Sequence, residues 1–332
     1  MLAWSHEVGR EPVVRSLYGD PIVLFRTASG AVGALVDRCP HRGVPLSTGS
    51  VVGEHLQCGY HGWEFSCAGR CKAIPSFLGE PDHTGRRATA YAVREQQGVI
   101  WVWGRPESEP STEPYWFEYA ETPGYTVIRE DVRAEATIHA VAENALDVPH
   151  TAYLHGGLFR TPSVRNRITA EVRRWHDRVE CEYIGEPRPT GLVARVLSPS
   201  GGIVTHFDRF LLPSIVQVEY RIGDENHIVT TAACTPADDY DTRLYALAAL
   251  RTRIPGFILP WLKPLGLRVF HQDAEILAKM TGTLRHFGEE AWASTEIDLL
   301  GPHILKLMRR ASKGELGEPS DEPWTTSVEM DV

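Results

Sequence analysis

The chain contains no run of 18 apolar residues, which excludes a transmembrane helix. It has no surplus of positive charge either. Its 34 Lys and Arg stand against 43 Asp and Glu, for a formal net charge of −9, which argues against a nucleic-acid-binding surface. Cysteine is scarce, with six in 332 residues, too few for a disulfide framework in a chain of this length. The start, Met1-Leu2-Ala3-Trp4-Ser5-His6-Glu7, lacks the basic and apolar regions of a signal peptide, so a cytoplasmic location is expected. No G-x-G-x-x-G fingerprint for a dinucleotide is found, and no internal repeat. What is present is an apolar share of 42%, enough for real cores, in a length that suggests two domains or one large one.

Two of the six cysteines fall in a pattern. Cys39-Pro40-His41-Arg42-Gly43 is followed, after sixteen residues between His41 and Cys58, by Cys58-Gly59-Tyr60-His61-Gly62-Trp63. Two thiolates and two imidazoles could hold one zinc. A Rieske [2Fe–2S] cluster uses the same donors differently, with two Cys on one iron and two His on the other. The flanking glycines favour the cluster, because they let the backbone approach bridging sulfides, and Trp63 could shield one side from water. Cys67 and Cys71 read as free thiols, Cys181 and Cys234 as small core residues.

A second constellation lies in Asp147-Val148-Pro149-His150-Thr151-Ala152-Tyr153-Leu154-His155-Gly156-Gly157. Asp147 and His150, three apart, share a helix face. His150 and His155, five apart, stand about 140° from each other on a regular helix and cannot bind one metal from it. An irregularity is therefore expected, by a π-type widening or by His155 lying beyond the helix end. Pro149 and Gly156-Gly157 supply the means. Two His and one carboxylate form the facial triad of non-haem Fe(II) oxygenases. Asp273, at the start of a helix-like segment, is the chosen carboxylate and Glu275 the next choice. Either histidine alone would be read as an ordinary hydrogen-bonded residue; the paired Cys–His site upstream makes them metal ligands.

Between these sites the periodicity is mostly that of strands. Residues 21–26, 31–36 and 98–103 read as short buried strands, making an all-β module over residues 1–104. Residues 105–123, rich in Pro, Glu and Ser at their start, read as a linker. The catalytic part is expected over 124–313. It has a hairpin turn at Trp175–Arg178, a strand with Val216, Val218, Tyr220 and Ile222 on one face, strands over 227–234 and 244–250, and helical period over 271–287 and 297–311. Long antiparallel strands with few helices suggest an α+β domain with one sheet face packed on helices. The acidic tail, 314–332, is expected to be poorly ordered. Leu158, Phe159, Phe207, Phe210 and Val218 are candidate substrate-pocket walls, and the apolar segment 255–267 a candidate entrance lid or buried connector.

Both motifs, in this order and on either side of a linker, resemble the catalytic subunit of the Rieske non-haem iron oxygenases. The resemblance covers nearly the whole chain and is closest in type to the vanillate and dicamba O-demethylase group. It implies an N-terminal Rieske domain and a C-terminal helix-grip, START-like domain. The cluster ligands carry over to Cys39, His41, Cys58 and His61, and the mononuclear iron ligands to His150, His155 and Asp273. It further implies a head-to-tail homotrimer in which an aspartate at the position of Asp147 passes electrons between subunits. Electrons would come from NAD(P)H through a separate reductase or ferredoxin. O₂ and a small hydrophobic ring compound would be the substrates, with hydroxylation or oxidative dealkylation the outcome. Desaturation or oxidative cyclisation would need the same iron sites; an electron carrier would need only the first domain. Related chains have more residues before the first strand, whereas Met1 here falls almost inside that element.

Overall fold

Short runs of β-branched and aromatic residues, broken at Gly and Pro, dictate strands for the first third of the chain. A computed structural model describes residues 1–156, 166–186, 204–223, 226–252, 261, 263–288 and 292–332. It divides into two units, Met1–Phe117 with Pro236–Asp238, and Glu118–Thr235 with Asp239–Val332. The first unit therefore extends past residue 104. Gln97 ties Phe117 to it by a reciprocal pair of bonds: its amide donates to Phe117 O (3.0 Å) and its carbonyl accepts from Phe117 N (2.8 Å).

The first unit contains β1 (Ala3–Trp4), β2 (Val13–Leu17), β3 (Asp20–Arg26), β4 (Val32–Val36), β5 (Ser50–Val52), β6 (His55–Gln57), β7 (Glu64–Phe65), β8 (Cys71–Ala73), β9 (Ala90–Tyr91), β10 (Val93–Gln96) and β11 (Val99–Val102). They form three small antiparallel sheets, β2-β3-β4-β9, β5-β6-β7-β8 and β1-β11-β10. β3 is apolar on both faces for a reason. Ile22 and Leu24 enter one core with Ala34, Tyr91 and Ile100, while Val23 and Phe25 enter another with Leu35, Leu56 and Phe65. That second core also holds Cys39 and Cys58.

The second unit is built on one large sheet. Its elements are β12 (Thr126–Ala134), α1 (Ile138–Ala145), α2 (His150–Leu154), β13 (Arg167–Arg174), β14 (Arg178–Ile184), β15 (Val204–Leu211), β16 (Ile215–Ile222), β17 (Asn226–Asp238), β18 (Asp241–Arg251), α3 (Lys263–Phe287), α4 (Gly301–Ser312) and β19 (Trp324–Asp331). The sheet order is β12-β18-β17-β16-β15-β14-β13-β19. Val172, Val179, Cys181, Phe210, Val216, Ala232 and Cys234 share its inner face and pack with Val141, Leu277, Ile304 and Leu307 from the helices. This is the expected sheet gripped by helices.

The tail departs from expectation. Residues Trp324–Asp331 are a strand, paired antiparallel along the whole of β13, with Met330 buried and Val328 packed on the core. Val328 and Met330 alternate with polar residues at period two, and the open edge of β13 offers unpaired backbone groups. The acidic composition of the tail concealed that alternation.

The outer face of the same sheet is polar, as its alternation requires. Glu219 accepts from Arg209 (2.6 Å), His227 (2.8 Å) and Arg221 (2.9 Å). Tyr125 donates to the far nitrogen of His227. Burial would raise the Glu219 carboxyl, but these three partners hold it down at about 2. The free carboxyl in an unfolded chain titrates near about 4.3. The network therefore contributes fully above that value and is lost as the pH falls toward 2. Glu219→Gln is expected to lower stability at neutral pH by about 3 kcal/mol. It should also flatten the pH dependence of thermal unfolding between about pH 4.3 and 2, which calorimetry at several pH values measures.

Candidate metal centres

The two Cys–His stretches fold as two copies of one loop. In the first, Cys39 N donates to Val44 O (2.8 Å) and Gly43 N to Cys39 O (2.9 Å); in the second, Cys58 N donates to Trp63 O (2.8 Å) and Gly62 N to Cys58 O (3.0 Å). Each loop closes through a left-handed glycine, Gly43 at φ +75° and Gly62 at φ +68°, a conformation that costs any other residue. The first loop follows β4 and the second joins β6 to β7, so two sheets fix both tips.

The donor atoms converge. Cys39 and Cys58 are buried, and the Cys39 thiol is pushed up to about 11, by burial first and further by the adjoining Cys58. The His41 and His61 rings meet edge to face at 4.6 Å, and His41 lies flat against Trp63 at 4.7 Å and 5°. His41 Nδ1 is buried with no hydrogen-bond partner. Buried polar nitrogens are nearly always satisfied, so this one fits a metal bond. A thiol that burial keeps protonated becomes a thiolate when a metal replaces the proton. The residues thus fit a [2Fe–2S] cluster with Cys39 and Cys58 on one iron and His41 and His61 on the other.

The second centre is built where a helix breaks. α1 ends at Ala145, the chain turns through Asp147 and Pro149, and α2 runs only from His150 to Leu154. His155 lies just past the end of α2, at φ −107° and ψ 30°. Departure from the helix, rather than a π-type widening, turns its ring toward that of His150. Asp273 comes from the interior of α3, not from a helix start. His155 Nε2 lies 3.0 Å and His150 Nε2 3.5 Å from Asp273 Oδ1, and the two Nε2 atoms are 3.3 Å apart. Ligands at about 2.1 Å on adjacent corners of an octahedron stand about 3 Å from each other, so the three atoms have the spacing of one octahedral face. Asp273 Oδ1 is buried, with the two Nε2 atoms as its close polar neighbours, a donor set that a cation would bridge. The three ligand atoms all lie within 4.8 Å of one another. Glu275, the alternative carboxylate, pairs instead with Lys279 at 2.7 Å on the exposed side of α3.

Neighbouring acceptors orient both rings. His150 Nδ1 and the His150 backbone N each lie 3.2 Å from Asp147 Oδ2. His155 Nδ1 donates to Gln272 Oε1 at 3.0 Å. Each contact puts a ring proton on Nδ1 and turns Nε2 toward Asp273, so that Nε2 is the nitrogen that would ligate. Burial would lower the His150 imidazole, but Asp147 and Asp273 outweigh it and hold its pKa up to about 9. Burial would raise the Asp273 carboxyl, but His150 and His155 outweigh that and hold it below its usual value. The site therefore retains a proton that a divalent cation would displace. Gln272 was not singled out in the sequence. Its polar side chain beside Asp273 is a signal only once α3 is known to pass behind His155.

Of the candidate pocket walls, Leu158 and Phe159 lie outside the described residues, as does most of the segment 255–267. Phe210 and Val218 sit on the inner face of the sheet, Phe210 fully buried and Val218 partly so. Phe207 is removed from the set. It stands three positions from Phe210 on β15 and so on the opposite face, where Arg209 covers its ring at 4.6 Å.

Known proteins repeat both halves. Residues 1–79 match the Rieske [2Fe–2S] domain family, and residues 134–314 match the vanillate O-demethylase oxygenase C-terminal domain family. The chain is 30% identical over 246 residues to a 3-chlorobenzoate-3,4-dioxygenase oxygenase subunit of Comamonas testosteroni, covering 72% of this chain and 55% of that one. It is 32% identical over 177 residues to the oxygenase component of dicamba O-demethylase of Stenotrophomonas maltophilia, covering 51% and 50%. The matched part thus spans about half the length of these curated relatives. In fold, the crystal structure of dicamba monooxygenase bound to dicamba superposes with a TM-score of 0.77 at 22% identity, covering 94% of this chain and 96% of that one.

Proposed function

Because the chain belongs to the Rieske non-haem iron oxygenases, with the C-terminal domain of the vanillate O-demethylase oxygenases, we propose that it is the oxygenase component of such a system. It takes electrons from a separate NAD(P)H-dependent reductase or ferredoxin and uses O₂ to hydroxylate or oxidatively dealkylate a hydrophobic ring compound. The observation that carries this reading is the convergence of His150, His155 and Asp273 within 4.8 Å, in a chain that also carries the paired Cys–His loops. An electron carrier would have no use for that triad.

When bound, the cluster supplies single electrons and the mononuclear iron a centre for O₂ activation. The protein's own part is positional. His150, His155 and Asp273 would hold the mononuclear iron as two imidazoles and one carboxylate. Asp147 and Gln272 fix the two imidazoles in the ligating tautomer. Asp147 is a third exposed, which suits a carboxylate at a subunit junction, and the assembly we infer is the head-to-tail homotrimer. Among the described residues no helix is long and apolar enough to cross a membrane.

Iron analysis under anaerobic conditions is expected to give about three irons per chain, two from the cluster and one from the triad. Single-turnover assays of the reduced protein across methoxyaromatics, steroids and N-methyl compounds should give a product with added oxygen or a lost methyl group. About two irons per chain with no oxygen in any product would overturn the reading. A loss of two hydrogens alone would identify a desaturase.

A further inference from the structure

A cavity of about 180 Å³ lies between α1, the second half of α3 and the segment that leads into α4. Its lining includes His139 and Glu143 from α1, Met280 and Thr281 from α3, and Trp292 and Asp298 from the segment before α4. None of His150, His155 and Asp273 is among its lining residues. Thr281 comes eight residues after Asp273 on the same helix, about 12 Å along the axis at about 1.5 Å per residue. The cavity is therefore a place apart from the iron triad, and the oxygenase reading makes no use of it.

Its polar groups are acceptors. Thr281 is 2% exposed. A threonine inside a helix can bond back to the carbonyl one turn earlier, as Thr283 does to Lys279 O (3.2 Å). The Thr281 hydroxyl makes no such bond, nor any other to a described residue, although buried polar groups are nearly always satisfied. His139 Nε2 donates to Gly301 O (3.0 Å), which leaves Nδ1 of the neutral ring to accept. Asp298 Oδ2 accepts from the backbone N and the hydroxyl of Thr295, and Asp298 Oδ1 has no partner among the described residues. Glu143, whose carboxylate lies over Gly301, adds a second negative charge. No Lys or Arg among the described residues lines the cavity. Met280 and the half-exposed Trp292 supply apolar surface and an aromatic ring.

We propose that this cavity is a second binding site, separate from the iron centre, for a small organic ammonium with an apolar body. The ammonium donates to Asp298, Thr281 and His139, and its charge is met by the two carboxylates. Trp292 covers the cation or the ring that carries it. A cavity of about 150 Å³ holds benzene, so this one takes a single ring with a short aminoalkyl arm. An anion of the same shape is turned away, because it meets like charge with no cation to offset it. The inference is independent of the oxygenase reading and is tested by binding rather than turnover.

The probes are benzylammonium, benzyl alcohol and benzoate, titrated calorimetrically into the metal-loaded protein without O₂. Benzylammonium is expected to bind at least about tenfold tighter than the other two. Asp298→Asn keeps an oxygen for Thr295 but removes the charge, and Trp292→Ala removes the aromatic wall; each should weaken benzylammonium by about tenfold or more. Asp273→Ala alters the iron site alone and should leave that affinity within about twofold, which separates the cavity from the triad. No binding of benzylammonium, equal or tighter binding of benzoate, full affinity in both cavity variants, or loss of binding in Asp273→Ala would each overturn the proposal. If one cavity variant does not fold, as circular dichroism would show, the other variant and the ammonium-to-benzoate ratio of the unaltered protein decide it.

Discussion

Asp273→Ala is expected to remove the mononuclear iron and leave the cluster untouched. Asp273 is the sole anionic member of a donor set whose other two members are neutral when they ligate. Its carboxylate lies 3.0 Å from His155 Nε2 and 3.5 Å from His150 Nε2, so no other group in the triad can take its place. Glu275, two residues on, faces Lys279 on the exposed side of the helix. Changes to residues that merely orient ligands cost metal sites about 10–100-fold. Loss of a ligand should therefore lower O₂-dependent product formation by more than about a hundredfold. Iron should fall from about three to about two per chain, while the visible absorption of the cluster persists. Asp273→Glu keeps the charge but moves it by one methylene and is expected to give intermediate iron content. Full oxygenation with normal iron in the alanine variant would show that the triad is wrongly assigned.

What could be read from sequence depended on how local each feature is. The four cluster ligands stand in two short loops whose spacing is set by turns, so Cys39, His41, Cys58 and His61 were visible without a fold. The hairpin at Trp175–Arg178 and the long helix over Asp273 follow from periods within one segment. Asp273 itself is more than a hundred residues from its partners in sequence; its place in a helix-like segment nominated it, with Glu275 as the alternative, and the resemblance to a family then pointed to the same residue. Gln272 was missed for the same reason. Its role exists only where α3 passes behind His155. β19 was hidden by composition, since acidic residues and prolines before it outweighed the alternation of Val328 and Met330. Phe207 is a different case. Its three-residue offset from Phe210 already places the two on opposite faces of any strand, so grouping them as walls of one pocket disregarded a signal that was present.

Asp147→Asn separates two tasks that one side chain could perform. Asp147 Oδ2 is an acceptor within 3.2 Å of both the His150 backbone N and His150 Nδ1. An asparagine oxygen can occupy the same place and accept the same bonds, so the ring stays oriented and iron should remain bound. What the substitution removes is the negative charge on a group that is a third exposed at the edge of the centre. If Asp147 only positions His150, iron content and turnover should both survive nearly unchanged. If it is also the link through which the neighbouring subunit's electrons arrive, the two measurements part. The expected result is full iron, a normal cluster spectrum, and reoxidation of the reduced cluster slowed about a hundredfold or more when O₂ and substrate are added together. Stopped-flow absorption follows that reoxidation directly, without waiting for product. Reoxidation at the unaltered rate would reduce Asp147 to a positioning residue. Loss of iron would instead show that its charge is needed to hold the imidazole, which makes the pair of variants, Asp147→Asn and Asp147→Ala, sufficient to rank the two roles.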